Sequence, residues 1–472
     1  MNEDPGALAP ELCLLGGAVA GLLVGLFLPR RRQWLVAVVC AVALLVGIAA
    51  TALAATRPSR MVFSDGYAVD TGLNAVRIIV LGATLLVLGL SVDRVRGHAR
   101  ETEFYVLVLL ASLGAVTLAG ASDLLVLAAA YLLASVPGYA LAGFLKDAAG
   151  TEASLKYYLM GALLGITMLA GITILFGVGG GTTFKLLHAA IGRSPHAAVA
   201  VGVVALLAGL AFKAGAVPAH FWVPDVTEGA GAPAAAFLTT IPKVGAIVAT
   251  YRLFDQALPD AGVQWPLLVA VIAAASMTLG NLAAFFQTSP RRLLAYSTIS
   301  QAGYVLMAVA AAGRSELATR ALLFYLAGYA VTNLGAFAVV TELPAARRLD
   351  DYGGLFRRQP WLALTLVVCL LGLVGTPPTA VFVGKLGVFT AAAGAGLTWL
   401  MVVAAVNTVA SVFYYLRWIV PMFAAAPGRA EALTPAGSLA RVCAYGGAAG
   451  AVLLGIAGGP VLAQLAHPLL GG

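Results

Sequence analysis

The chain has 472 residues, 61% of them apolar and 10% charged, with a formal net charge of +8. That composition leaves too little polar surface to cover a soluble globule of this length, and it places the chain among integral membrane proteins. The basic excess needs no nucleic acid or acidic substrate to account for it, because much of it falls in short loops that a positive-inside topology demands.

Apolar runs of about 20 residues cross a hydrocarbon core of about 30 Å as a helix. Such runs begin near residues 8, 34, 74, 104, 122, 154, 197, 232, 264, 293, 317, 360, 397 and 438, which predicts an all-α polytopic membrane protein of about 14 transmembrane helices. The start, "MNEDPGALAPELCLL", carries acids and no basic n-region, so the first span is expected to be retained and not cleaved as a signal peptide. No hydrophilic stretch exceeds about 25 residues, which leaves no room for a soluble catalytic or nucleotide-binding domain. Lys and Arg collect in alternate loops: Arg30 to Arg32, Arg94 to Arg100, Lys146, Arg291 with Arg292, and Arg347 to Arg358. Those loops are expected to face the cytoplasm. The opposite set, Arg57, Arg60, Lys185, Arg193, Arg252 and Arg314, is expected outside with both termini.

Cys13, Cys40, Cys369 and Cys443 fall within predicted spans without CxxC spacing, and the five histidines are dispersed. A metal or iron–sulfur site in this chain is therefore not expected. "GVGGGTT" at Gly177 to Thr183 lacks the Gly-Lys-Ser/Thr of a phosphate loop and reads as a connection between spans. No nucleophile, base and orienter stand at a spacing suited to hydrolysis.

Intramembrane charge is what remains. Only six residues are lysines, and half of them lie in apolar sequence: Lys213, Lys243 and Lys385. Arginine stays protonated almost anywhere, whereas a desolvated lysine readily gives up and regains a proton. In chain order, Lys213 begins "KAGAVPAHFWVPD", where Gly215 and Pro218 permit a helix break and His220 and Trp222 follow. A continuous helix would instead let Lys213 snorkel to the interface. Lys243 has about eleven apolar helical residues on either side, half a bilayer in each direction, and Pro242 before it removes a backbone donor. It is either a proton carrier or a lysine satisfied by carbonyls in the bundle. Lys385 follows Pro377 and Pro378 in an apolar stretch of roughly 35 residues, too long for one span and too short for two. That predicts a discontinuous helix, a form tolerated at membrane depth where it lines a cavity and common at transporter ion sites. Two interrupted lysine-bearing segments about 170 residues apart are what an internally repeated transporter shows.

"FKAGAVPAHFWVPDVTEGAGAPAAAFLTTIPK", "RRLLAYSTISQAGYVLMAV", "ALLFYLAGYAVTNLGAFAVV", "DDYGGLFRRQPWLA", "PPTAVFVGKLGVF" and "SVFYYLRWIVPMF" together resemble subunit N of bacterial proton-pumping NADH-quinone oxidoreductase, complex I, over about residues 103 to 423. "EASLKYYLMGA" also fits. The resemblance implies two inverted five-helix repeats, 104–254 and 264–422, each with one discontinuous helix. An N-terminal three-helix segment, 1–103, would precede them and a C-terminal helix segment, 423–472, would follow. It also implies a bacterial inner-membrane location among other membrane-arm subunits. Quinone, NADH, FMN and iron–sulfur clusters would belong to those partner subunits, with no cofactor bound in this chain. By motif match, Lys213 would be the seventh-helix lysine of the inlet half-channel, Lys243 the central eighth-helix lysine and Lys385 the twelfth-helix lysine near the exit. His220 and Lys156 would be supporting polar positions.

Two departures stand out. Where the family carries a fifth-helix glutamate pairing with the seventh-helix lysine, "YLLASVPGYAL" places Leu132, and where the tenth helix usually has histidine this chain has Gln301. All twenty acids lie at span ends or in loops, so no carboxylate is expected to face a buried lysine. The readings that follow are a proton-translocating subunit using Lys213, Lys243 and Lys385, or a diverged paralogue that assembles but conducts poorly. From other classes stand a cation/proton antiporter subunit, for which intramembrane carboxylates are expected and missing, and a purely structural subunit.

Overall fold

The computed structural model describes residues 4–259, 261–424, 437–465 and 469. Its helices, in chain order, are α1 (Ala9–Phe27), α2 (Trp34–Ala54), α3 (Thr71–Val95), α4 (Glu101–Gly120), α5 (Leu124–Ala142), α6 (Ala148–Gly179), α7 (Phe184–Ile191), α8 (His196–Ala214), α9 (Trp222–Gly229) and α10 (Ala232–Arg252). They continue with α11 (Trp265–Ala284), α12 (Pro290–Ala310), α13 (Leu317–Glu342), α14 (Leu355–Arg358), α15 (Pro360–Val374), α16 (Ala380–Gly394), α17 (Thr398–Phe423), α18 (Leu439–Ile456) and α19 (Gly458–Gln464). Among the described residues, 13 helices are long and apolar enough to span a bilayer. The two shorter apolar helices, α15 and α16, lie end to end and supply one further crossing, so the expected number of spans is met. The segment 423–472 lies partly outside the described residues.

Both expected breaks are present. The seventh crossing runs through α8, stops at Gly215 and resumes as α9, and the twelfth runs through α15, stops at Gly375 and resumes as α16. Each stop is a glycine in the left-handed region, at φ +67° and +90° respectively, which a side chain would strain. Each is followed three residues later by a proline in a cis peptide bond, Val217–Pro218 and Pro377–Pro378. Four crossings, α10 to α13, lie between the two broken ones, so the seventh and the twelfth traverse the membrane in opposite directions.

The three helices α10, α12 and α13 form the centre and are almost wholly buried, whereas α1, α2, α6, α17 and α18 turn large apolar side chains outward. Lipid tails are as apolar as leucine, so outward Leu and Val carry no penalty there and small residues make the interior contacts. The approach of α10 to α4 shows the consequence: a Cβ on Gly245 would sit 2.2 Å from the Ala115 carbonyl oxygen, so only glycine fits. Arg94, Arg291, Arg347, Asp147 and Glu228 line one cleft of about 490 Å³, which puts four of the five expected cytoplasmic loops on one face. On the opposite face, a short hairpin of β1 (Arg60–Val62) and β2 (Tyr67–Val69) lies near Ser122, Lys185 and Gln256.

Arg252, expected as a loop residue on that outer face, is instead fully buried. Its Nη1 and Nη2 donate to the Asp70 carboxylate at 2.8 and 3.1 Å, and its Nε to the Ala119 carbonyl at 3.1 Å. Asp70 also caps α3 by accepting from the Leu73 N–H at 2.8 Å. A second buried pair joins Arg77 of α3 to Glu11 of α1 at 2.7 and 2.9 Å, with the Tyr67 hydroxyl donating to the same carboxylate at 2.8 Å. Both acids sit at helix starts, as expected, yet they are sealed from solvent because the hairpin and neighbouring helix ends cover them.

Candidate functional site

A helix break frees carbonyls that the next turn would have used, and inside a membrane each of these needs a donor. At the first break the Trp222 indole N–H donates to the Phe212 carbonyl at 2.9 Å. At the second the donor is a lysine: the Lys385 ammonium reaches the Val374 carbonyl at 2.8 Å and the Thr408 hydroxyl at 3.4 Å. The same ammonium lies 3.9 Å from the Tyr304 ring centroid, a cation–π distance.

Lys243 stands against the first break. Its Nζ donates to the carbonyl and hydroxyl of Thr298 on α12 at 3.0 and 3.1 Å, and a Cβ on Gly215 would lie 3.1 Å from it. One turn further along α12, the Gln301 amide donates to the Leu373 carbonyl at 2.8 Å and its oxygen accepts from the Tyr325 hydroxyl at 2.5 Å. Leu373 adjoins Val374, whose carbonyl holds Lys385. Thr298 and Gln301 thus bring Lys243 and Lys385 onto one buried polar line through the middle of the fold. Gln301 ties the α15 side of the second break to Tyr325 of α13 by hydrogen bonds alone.

Two polar contacts on α13 approach this line from the cleft side. The Asn333 amide donates to the Thr240 hydroxyl at 2.8 Å, and one turn away the Tyr329 hydroxyl donates to the Thr239 carbonyl at 2.8 Å. Thr341, further along the same helix, lines the cleft.

Lys213 is fully buried, and its Nζ has no hydrogen-bond partner among the described residues. It is not snorkelling. The Tyr131 and Tyr157 ring centroids lie 5.1 and 6.0 Å from it. His220 falls in the break itself, half-buried, its ring 4.5 Å from that of Phe221. Lys156 lies apart from the buried set. It is half exposed and pairs with Glu152 at 2.7 Å and Asp225 at 2.9 Å, while Arg292 joins Asp225 at 3.3 Å.

Reading the sequence missed Thr298, Tyr325, Thr408 and Tyr131. For Tyr131 a signal existed, since Tyr131, Ser135, Gly138 and Ala142 form an i, i+4, i+7, i+11 stripe, and all four are buried. Leu132, one residue and about 100° round the helix, is half exposed.

Residues 121–411 match the family described as NADH:quinone oxidoreductase/Mrp antiporter, TM. The chain is 59% identical to NADH-quinone oxidoreductase subunit N 1 of Streptomyces griseus, with 98% of each chain covered. It is 50% identical to NADH-quinone oxidoreductase subunit N of Mycobacterium sp. strain JLS, with 97% of each covered. Among solved structures, a chain of respiratory complex I from Thermus thermophilus, determined with bound aureothin, superposes with a TM-score of 0.82 at 32% identity, covering 97% of this chain and 100% of that one. Broken crossings, a buried lysine line and near full-length relatedness converge: the chain belongs to the NADH:quinone oxidoreductase/Mrp antiporter transmembrane family, as a membrane-arm subunit N of bacterial NADH-quinone oxidoreductase.

Proposed function

We propose that this subunit carries protons across the membrane through Lys213, Lys243, Lys385 and internal water, driven by quinone reduction elsewhere in the complex. The observation that carries the reading is that Lys385 caps the carbonyl of Val374 at the second break while Lys243 packs against Gly215 at the first, with Thr298 and Gln301 of α12 one turn apart between them. A buried lysine is costly to keep in a bilayer, and a broken helix is costly too. Their coincidence at both breaks favours a relay over a purely structural subunit. Protons would arrive from the face carrying the basic loops, where Asp147 and Glu228 line the cleft.

The repeats 104–254 and 264–422 would serve as inlet and exit halves. His220 would support the inlet from within the break, and Lys156 would do so by tying α6 to α9 through Asp225. NADH, FMN, iron–sulfur clusters and quinone would be held by partner subunits, leaving this chain without a redox centre. An antiporter exchanging sodium would need carboxylate oxygens along the line, whereas the groups on it are amines, hydroxyls, an amide and carbonyls.

The test is Lys243→Ala and Lys385→Ala in the whole complex, with subunit incorporation checked on native gels and proton uptake measured in inverted vesicles oxidising NADH. Buried acid–base groups contribute about 10²- to 10⁴-fold where they act, so uptake per electron pair is expected to fall at least about tenfold with assembly intact. Native uptake in both variants would overturn the proposal.

A further inference from the structure

Lys213 presents a chemical problem that its position does not solve. Among the described residues its fully buried ammonium has no hydrogen-bond partner and enters no ion pair. The fifth-helix residue at the position of the family's carboxylate, Leu132, has its side chain on the half-exposed flank of α5. What stands over the ammonium is Tyr131, one residue earlier and only 1% exposed, with its centroid 5.1 Å away, and Tyr157 of α6 at 6.0 Å. Both hydroxyls are buried and likewise without a partner among the described residues, so the rings are not placed there to satisfy their own O–H groups.

Resting on the proton-relay reading above, we propose that Tyr131 and Tyr157 are positioning residues that take over the role of the missing carboxylate, holding the protonated Lys213 over their ring faces by cation–π attraction. A tyrosine ring within about 6 Å of a desolvated ammonium attracts it through the negative face of its quadrupole. Unlike a carboxylate, the ring is neutral, so it favours the charged amine without committing a second charge to the bilayer interior. Tyr157 is fixed in place: it stacks on Trp222 at 4.3 Å and packs against Phe212 at 5.6 Å and, edge to face, Tyr139 at 4.9 Å. Tyr131 is the ring added from the fifth helix. The other titratable groups on the elements around the end of α8 include Tyr139 on α5, Tyr158 on α6, Lys243, Tyr251 and Arg252 on α10, and His220 in the break. Asp225 on α9 and Glu152 on α6 are engaged by Lys156.

The decisive experiment places phenylalanine and its mono-, di- and trifluoro analogues at position 131 in the assembled complex. The series keeps the shape of the ring while draining its negative face. Proton uptake by inverted vesicles is followed across pH, beside Tyr131→Leu and Lys213→Ala. A ring face favours the charged amine, so weakening it loses the charged form at lower pH. The alkaline limb of uptake is expected to move down stepwise with fluorination, by up to about one pH unit, or roughly tenfold in proton occupancy. The phenylalanine variant should stay near native and Tyr131→Leu should match the trifluoro end. A profile unchanged along the series, or a phenylalanine variant as impaired as Tyr131→Leu, overturns the cation–π role, the second result assigning the effect to the hydroxyl. If Tyr131→Leu fails to assemble, the isosteric series still decides. Native uptake in Lys213→Ala would instead overturn the relay reading for that lysine, so the two failures are distinguishable.

Discussion

Replacing Gly215 by alanine separates the helix break from the lysine behind it. Gly215 and Gly180 both end a helix in the left-handed region, at φ +67° and +66°. An L side chain in that conformation costs about 1–2 kcal/mol at either position. Around Gly180 a Cβ meets nothing within 4 Å, whereas at Gly215 it would lie 2.9 Å from Val223 Cγ2, 3.1 Å from Lys243 Nζ and 3.3 Å from Lys243 Cε. The valine is packed in the core, so the flexible lysine end is the group that yields, and moving it disturbs its two bonds to Thr298. A hydrogen bond to a charged group contributes about 1.5–3 kcal/mol. Gly180→Ala is therefore expected to lower the thermal stability of the detergent-solubilised complex slightly and leave proton uptake per electron pair native. Gly215→Ala should cost about 3–5 kcal/mol in total and depress uptake in vesicles where NADH oxidation persists. Equal uptake in the two variants would refute the claim that the break and Lys243 are one unit.

Two further outcomes follow from the buried polar groups. Asp70→Leu leaves the Arg252 guanidinium unpaired at zero exposure, a loss of about 3–5 kcal/mol, so incorporation on native gels should fall, and Asp70→Leu with Arg252→Met should recover it. Incorporation of the single variant at the native level would show that the pair does not fasten the outer ends of α3 and α10. Gln301→Leu orphans the Leu373 carbonyl and the Tyr325 hydroxyl, each costing about 1–3 kcal/mol. It should reduce uptake more than it reduces incorporation, whereas a proportional fall in both would make Gln301 a packing residue only.

The crossings were legible because a bilayer of fixed thickness sets the length of every apolar run, and even the starts of α2, α10 and α13 agree to the residue with the hydropathy reading. The two breaks were legible because a glycine followed three residues later by a proline stands near a lysine in each, whereas a lone glycine or proline, such as Gly245 or Pro242, leaves its helix continuous. Partners were not. Arg252 looks like a loop charge in the sequence, and neither its partner Asp70, 182 positions away, nor the pairing of Arg77 with Glu11, 66 positions away, is visible there. Only the folded bundle brings these acids to them. The absence of a fifth-helix acid was readable, and the stripe of Tyr131, Ser135, Gly138 and Ala142 marked the inward face of α5, but that this face meets Lys213 was not, because Tyr131 and Lys213 lie on helices far apart in the chain.

How the central lysines are held bears on whether they can relay protons at all. An ammonium has three N–H donors, and the protein engages two on Lys243, through the carbonyl and hydroxyl of Thr298, and two on Lys385, through Val374 and Thr408. A neutral amine still has two N–H donors. Each lysine can therefore give up its third proton and keep both of its protein bonds, so the carbonyl freed at the second break stays satisfied in either state. A lysine using all three donors would have to orphan a buried acceptor on every deprotonation, at about 1–3 kcal/mol, and would resist the change. The donor left over at Lys243 and at Lys385 is what a proton carrier requires and what a purely structural lysine does not, and in this respect the two sites are alike although one lysine caps its break and the other only leans on it.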